Sequence, residues 1–323
     1  MSAAPFIEKV NQLALAGIPF FFMIDFEKKK PLVYSFEEAV KENILFDIRG
    51  FRNYSLPKPK SIAHQIVPKQ RSEERYKTAF DQVQVHLNRG DSYLVNLTFP
   101  TPVSFNGNLK DLFYNAQSRY KVLFKDLFVS YSPECFVKIK GNTIYSHPMK
   151  GTISTAIPNA EQRVLGNPKE IAEHATIVDL IRNDLSSYAS EVRVNRFRYV
   201  EQIKVQAESL LQVSSEIEGR LKDDWRASLG NLLWDMLPAG SISGAPKHKT
   251  LEIIRSVEVD PRGYYSGVYG CFDGQNLDSA VAIRFLEKQD NNFFYRSGGG
   301  VTSQSSCKEE YQELLDKIYV PTL

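Results

Sequence analysis

Two stretches that fall close together, "SYLVNLTFPTPVSF" (92–105) and "DLFVSYSPECFVKIKGNTIYSHPMKGT" (126–152), constrain this chain more than any other feature. Apolar and polar residues alternate through them at period two, which predicts strands with one buried face. The glycine–asparagine step in "KGNT" predicts a tight hairpin. Strands of this kind need partners on both edges, so the block calls for large antiparallel sheets. Helical spacing appears elsewhere. "EERYKTAFDQVQVHLNRGD" sets Tyr76, Phe80, Val83 and Leu87 on one stripe and stops at Gly90. "NPKEIAEHATIVDLIRNDL" predicts a strong helix, with Asn167 as N-cap and Pro168 in the first helical position. Strands are expected in "EVRVNRFRYV", "LLQVSSEIEG", "GYYSGVYGCF" and "LDSAVAIRFLEK". Helices are expected near "WRASLGNLLWDML", from Pro246, and in the closing "CKEEYQELLDKIYV". Strands and helices come in mixed order rather than as regular βαβ units, so the fold class is α+β with large antiparallel sheets. The proline- and charge-rich segment 55–74 reads as a connector between a short strand-rich part, 1–74, and the main body, 75–323.

Composition narrows the function. The chain has 323 residues, and its 42% hydrophobic and 12% aromatic content is that of a packed globular protein. Forty basic and 38 acidic residues leave a net charge of +2, too little for a long-range field toward nucleic acid or an anionic membrane. Cys135, Cys271 and Cys307 are scattered, without C-x-x-C spacing, which argues against a disulfide framework or zinc site and fits a reducing cytoplasm. The apolar run "IPFFFMI" is bracketed by charge and too short to span a bilayer. It reads as a buried strand, and the protein as soluble and cytoplasmic.

Several residues could carry chemistry. Glu170 and Glu173 share one helix face, and Glu310 and Glu313 repeat that spacing in the last helix. Two such helices could converge on a hard cation such as Mg2+, although acidic pairs on helices are usually a solvated face. "GSISGAPK" and "RSGGGV" read as tight turns whose backbone N–H groups can approach an anion. Arg284 stands in an otherwise apolar strand, as an edge charge or a buried fork for a carboxylate. Lys150, between an apolar strand and a glycine, is by default a solvated charge.

Read together and in order, "GDSYLVNL", "SPE" (132–134), "PMKGT" (148–152), "AEHATIVDLIRNDL", "GSISGAPK", "RGYYSGVYG", "AIR", "GGG" and "EEYQE" resemble the chorismate-utilising enzymes. These are the anthranilate, aminodeoxychorismate, isochorismate and salicylate synthases. The resemblance covers about residues 75–320 and implies a sandwich of antiparallel sheets with helices outside and a shortened N-terminal part. It implies Glu173 and Glu313 as principal Mg2+ ligands, supported by Glu310 and Glu170, with the metal holding the ring carboxylate of chorismate. Arg284, Tyr265 and the backbone of Gly298, Gly299 and Gly300 match the grip on the other carboxylate, with Gly151 and Thr152 also at the substrate. Lys150 matches the lysine that, in aminodeoxychorismate synthases of the "PIKGT" type, adds covalently to carbon 2 of the ring, where anthranilate synthases usually carry alanine. Its amine must be neutral to attack, which partial burial beside a divalent cation favours. Glu134 matches the acid/base that protonates the departing carbon-4 hydroxyl, and is expected on the hairpin strand next to that of Lys150.

Two departures bear on which member this is. A histidine associated with pyruvate elimination is replaced by Gln212, which cannot exchange a proton near neutral pH. Leu94 stands where ammonia-using members carry glutamine and water-using members a lysine base. The expectation is therefore component I of aminodeoxychorismate synthase, with anthranilate synthase second and a catalytically silent binding subunit third. A glutaminase domain does not fit in this length, so ammonia is expected from a separate glutamine amidotransferase or from solution.

Overall fold

The computed structural model describes residues 1–55, 65–69, 73–205 and 208–320. Two nine-stranded sheets dominate it, and every strand pairing described is antiparallel. The first sheet runs Met149–Ser154, Glu208–Leu221, Thr143–Ser146, Cys135–Lys140, Leu277–Val281, Val268–Phe272, Phe20–Ile24 and Leu32–Tyr34, with Ala189–Val205 also paired to Glu208–Leu221. The second runs Gly244–Ala245, Leu94–Phe105, Asn292–Val301, Phe285–Gln289, Phe128–Ser132, Tyr120–Phe124, Ile44–Ile48 and Phe51–Arg52, with Ile66–Pro68 on Leu94–Phe105.

The run "FFFMI" shows why some strands here lack alternation. Phe20, Phe22 and Ile24 enter one core cluster while Phe21 and Met23 enter another, so both faces of the strand are buried. The second of these clusters joins Phe46 and Tyr120 from one sheet to Tyr269 and Ala280 from the other, gluing the layers together. The N-terminal residues are woven into both sheets rather than set apart, and Ile66–Pro68 makes part of the expected connector a strand. Residues 56–64 and 70–72 of that connector lie outside the described residues.

Three expectations need correction. "SAVAIRFLEK" is not one strand. Leu277–Val281 belongs to the first sheet and Phe285–Gln289 to the second, and the chain crosses between them at Arg284, whose φ is +52°. Hydrophobic period continues across such a crossing, so sequence spacing does not reveal it. "RSGGGV" is not a turn either, because the glycines end the strand Asn292–Val301 and pair with Asn96, Leu97 and Thr98. "GSISGAPK" forms a short 3-10 turn, Gly240–Ile242, and then the two-residue strand Gly244–Ala245. There Gly244 has φ +134°, and a Cβ would lie 1.9 Å from the Leu94 carbonyl oxygen. The glycine is required by close backbone approach, so Gly244→Ala should lower stability by at least about 3 kcal/mol, measured by urea unfolding.

Candidate active site

The helix Pro168–Ser186 packs across Met149–Ser154, Glu208–Leu221 and the turn at Gly240, and the helix Cys307–Asp316 packs on the glycine-bearing strand. The first helix buries the apolar stripe Ile177, Val178, Ile181 and Leu185 and turns Glu173 and His174 inward beside it. Glu173 and His174 are 8% and 0% exposed, whereas Ile171 is 39% exposed. Glu310 on the other helix is 2% exposed and accepts from Ser305 Oγ at 2.7 Å, while Glu313 is exposed. Burying two carboxylates is costly unless something compensates them, so a solvated face is ruled out for this pair.

Lys150 is aimed by an irregularity in its strand. Met149 pairs with Ser214 but Thr152 with Gln212, so Lys150 and Gly151 together oppose the single residue Val213. Gly151 sits at φ +79°, and this bulge redirects the lysine side chain. A methyl placed on Gly300 would lie 3.4 Å from Lys150 Nζ, 3.4 Å from Glu173 Oε2 and 3.0 Å from Leu94 Cδ1. A methyl on Gly299 would lie 3.3 Å from Glu310 Oε2 and 3.8 Å from both Glu313 Oε1 and Lys317 Nζ. Glu170 Oε2 similarly stands 3.1 Å from a Cβ on Gly151. Three separate elements therefore bring Lys150 and Glu173 to Gly300, Glu310 and Glu313 to Gly299 on the other face of the strand, and Glu170 to the bulge. Only glycine leaves that space open.

The partner strand Phe285–Gln289 ends opposite Arg296, so the edge of Gly298–Gly300 is unpaired on that side. Lys317 Nζ takes the Gly298 carbonyl at 2.7 Å and pairs with Glu313 at 2.7 Å. Burial lowers the Lys317 amine below its ordinary value, Glu313 opposes this, and Arg284 and Lys150 add to the lowering. Arg284 donates through Nε to the Tyr319 hydroxyl at 3.3 Å. Tyr265 is buried, and burial pushes its hydroxyl up to about 12, against Arg262 and Arg284. Thr152 is exposed on the bulged strand beside the buried Gln212.

Glu134 lies just before the strand Cys135–Lys140. That strand is separated from the Lys150 strand by Thr143–Ser146 and Glu208–Leu221, so the two are not neighbours as expected. They still act on one another. Burial raises the Glu134 carboxyl above its usual range, while Ser241, Lys150, Arg284 and Lys317 oppose the rise. Ser241 Oγ donates to Glu134 Oε1. Behind this contact, a cavity of about 20 Å³ lined by Glu134, Ser146, Asp184 and Ser241 has room for a single water. Asp184 is held in turn by Lys247 Nζ at 2.6 Å, which ties the helix to the turn carrying Ser241.

Ser241, Lys317 and His174 were not expected at the site. Lys317 could have been found four residues after Glu313, and Ser241 inside its glycine motif. His174 accompanies Glu173 into the core, where its Nε2 contacts Ser215 Oγ at 2.7 Å and its Nδ1 has no partner. Burial, with Arg198 and Lys150, holds its pKa down to about 4, so it is neutral at neutral pH.

Lysine, arginine and paired carboxylates thus lie around a glycine-bearing strand end within a two-sheet antiparallel sandwich. Residues 9–322 match the chorismate binding enzyme family, and the chain belongs to it. It is 48% identical to an uncharacterized PabA-like protein of Haemophilus influenzae, over 98% of this chain and 96% of that one. It is 32% identical to aminodeoxychorismate synthase component 1 of Klebsiella aerogenes, over 76% of this chain. It is 31% identical to anthranilate synthase component 1 of Neisseria meningitidis, over 84%. The matches span only 57% and 58% of those two longer proteins. Its fold is shared with a putative 2,3-dihydroxybenzoate-specific isochorismate synthase, DhbC, of Bacillus anthracis, at TM-score 0.72 and 21% identity, covering 96% of this chain and 87% of that one. No helix among the described residues is long and apolar enough to cross a membrane.

Proposed function

We propose that the protein is the chorismate-aminating component of an aminodeoxychorismate synthase, forming 4-amino-4-deoxychorismate from chorismate and ammonia. The observation that carries this reading is Lys150, re-aimed by its bulge to stand with Glu173 over Gly300 and within the electrostatic reach of a half-buried Glu134. A surface lysine would need none of this.

Chorismate carries two carboxylates, and the site offers two places for them. Arg284, Tyr265 and the open Gly298–Gly300 edge receive one, with Lys317 completing that side; a guanidinium and unpaired backbone groups suit a carboxylate. The other falls beside the acids, which need a cation to accept it. Among the described residues no group of three or more His, Cys, Asp or Glu side chains is placed to hold a metal ion. The donors are all carboxylate oxygens in pairs, which suits Mg2+, an ion held by one or two carboxylates that keeps its other positions for water and substrate. Glu173 and Glu313 would hold it, with Glu310 and Glu170 in support, and the ion would supply positive charge for the ring carboxylate.

With the ring fixed, the Lys150 amine, once neutral, forms a bond to carbon 2. Both ring double bonds shift by one position toward carbon 4, the carbon 4–oxygen bond breaks, and the hydroxyl leaves as water with the proton of Glu134. Burial raises the Glu134 carboxyl above its usual range, the direction that favours donating a proton in this step. Ammonia then bonds to carbon 4 and gives a proton back to Glu134, both double bonds shift back, and the lysine is expelled as its neutral amine. The net change replaces hydroxyl by amine and releases one water. Gln212 supplies no acid or base for eliminating pyruvate, which leaves that step to a separate lyase. Ammonia comes from a glutamine amidotransferase partner or from solution.

The test is product analysis of purified protein with chorismate, MgCl2 and ammonium. Aminodeoxychorismate, converted to p-aminobenzoate only after a lyase is added, is the expected product, whereas anthranilate or unconsumed chorismate would refute the reading. Ser241→Ala should reveal the acid's role. Without the serine donor the Glu134 carboxylate is less stabilised, so its pKa rises further. The alkaline fall in kcat, where Glu134 loses its proton, should move to higher pH, and an unshifted profile would show that Ser241 does not act through Glu134.

A further inference from the structure

On the face of the first sheet opposite Lys150 lies a groove of about 610 Å³, within the range of small-molecule sites and outside the chemistry above. Met149 lines it while Lys150, the next residue, points the other way, and Pro133 and Cys135 line it on either side of Glu134. Its walls carry Arg49, Arg119, Lys138, Lys140 and Arg196 against Glu201 and Glu216, a net charge of 5 − 2 = +3. The whole chain carries +2, so the remainder is net negative, at 2 − 3 = −1. The positive charge is concentrated here rather than being typical of the surface.

These cations are loosely compensated. Arg49 and Lys138 each stand 3.9 Å from Asp278, which lies beneath the groove and accepts from the Tyr120 hydroxyl at 2.9 Å. Arg119 is 3.9 Å from Glu201. None of these is a close hydrogen-bonded pair, and even with Asp278 counted the groove retains +2. Gathering like charges in a concave site is unfavourable until an anion enters, so the arrangement favours a multiply charged anion over a neutral or cationic ligand. The walls also present flat surfaces. The Tyr145 and His147 rings are nearly parallel, at 7° with centroids 6.4 Å apart, and the Arg196 guanidinium lies 3.7 Å over the Tyr199 ring.

We infer that this groove is a second ligand site, for a small planar aromatic molecule carrying two or more carboxylate or phosphate groups. The ring packs against Tyr145, His147 and the Arg196–Tyr199 stack, and the anionic groups meet Arg49, Lys138 and Lys140. This does not depend on the chemistry assigned to Lys150, since none of these residues belongs to that site.

The test is calorimetric titration of the full chain with benzene-1,3,5-tricarboxylate, beside benzoate (one charge) and pyrophosphate (charge without a ring). Three proteins are compared: the unmodified chain, Lys150→Ala, and the double variant Lys140→Glu/Arg196→Glu, whose two sites are exposed at the groove rim. The tricarboxylate should bind the unmodified chain and Lys150→Ala alike, at least about tenfold more tightly than either comparator. The double variant should lose at least about tenfold in affinity while keeping its melting temperature. The proposal is overturned if the tricarboxylate does not bind, if Lys150→Ala abolishes binding while the double variant retains it, or if pyrophosphate binds equally well.

Discussion

Lys150→Ala should lower the formation of aminated product by at least about 10²-fold, or divert chorismate to another product, while leaving the fold intact. The magnitude follows from removing a positioned nucleophile. Structural damage should be small, because Lys150 is half-buried on a bulge whose geometry is set by Gly151 and by pairing to Ser214 and Gln212. Alanine keeps that backbone. The change also empties the space beside Glu173 Oε2 and Leu94 Cδ1, so chorismate should still bind, and a loss confined to kcat is expected. Normal amination by the variant, measured by product chromatography with added lyase, would exclude covalent catalysis by this residue.

Glu173→Gln is expected to have an effect of similar size by a different route. The amide keeps the shape of the side chain and removes its charge. Glu173 is 8% exposed, on a helix packed against the Lys150 strand, so it cannot swing into water to escape the change. If it holds Mg2+, the variant should require a magnesium concentration at least about tenfold higher for half-maximal activity, with chorismate KM rising in parallel. Glu313→Gln should behave alike, and the exposed position of Glu313 removes folding as an explanation there. An unchanged magnesium dependence in both variants would refute the assignment of the cation to these carboxylates.

Much of the architecture was legible because the relevant signals are local. The stripe Tyr76, Phe80, Val83 and Leu87 is the buried face of the helix Glu73–Asn88, and Pro168 begins the helix that carries Glu173. The "KGNT" hairpin joins Cys135–Lys140 to Thr143–Ser146 as its turn residues require. Signals that depend on partners from distant sequence were not legible. Arg284 sits where the chain passes from one sheet to the other, and apolar residues continue on both sides of the crossing because both strands are buried. The three glycines looked like a turn because their real requirement, space for Lys150 and the acids of two helices, exists only after folding. Separation along the sequence likewise placed Glu134 beside the Lys150 strand, where two intervening strands actually lie. Glu173 and His174 enter the interior beside the apolar stripe of the helix Pro168–Ser186, a departure from hydrophobic patterning of the kind functional sites commonly show.

In the proposed mechanism the site joins a nucleophile, an acid whose carboxyl is raised by burial and a grip for two carboxylates, and the central claim is a covalent bond between Lys150 and the ring. The most direct measurement is intact-protein and peptide mass spectrometry after incubation with chorismate and MgCl2 in the absence of ammonia. A mass increase of one chorismate less one water should appear, map to the peptide containing Lys150, and disappear when ammonium is added and aminodeoxychorismate is released. Formation of aminodeoxychorismate by a protein that never carries this adduct, or an adduct located at another residue, would contradict the account.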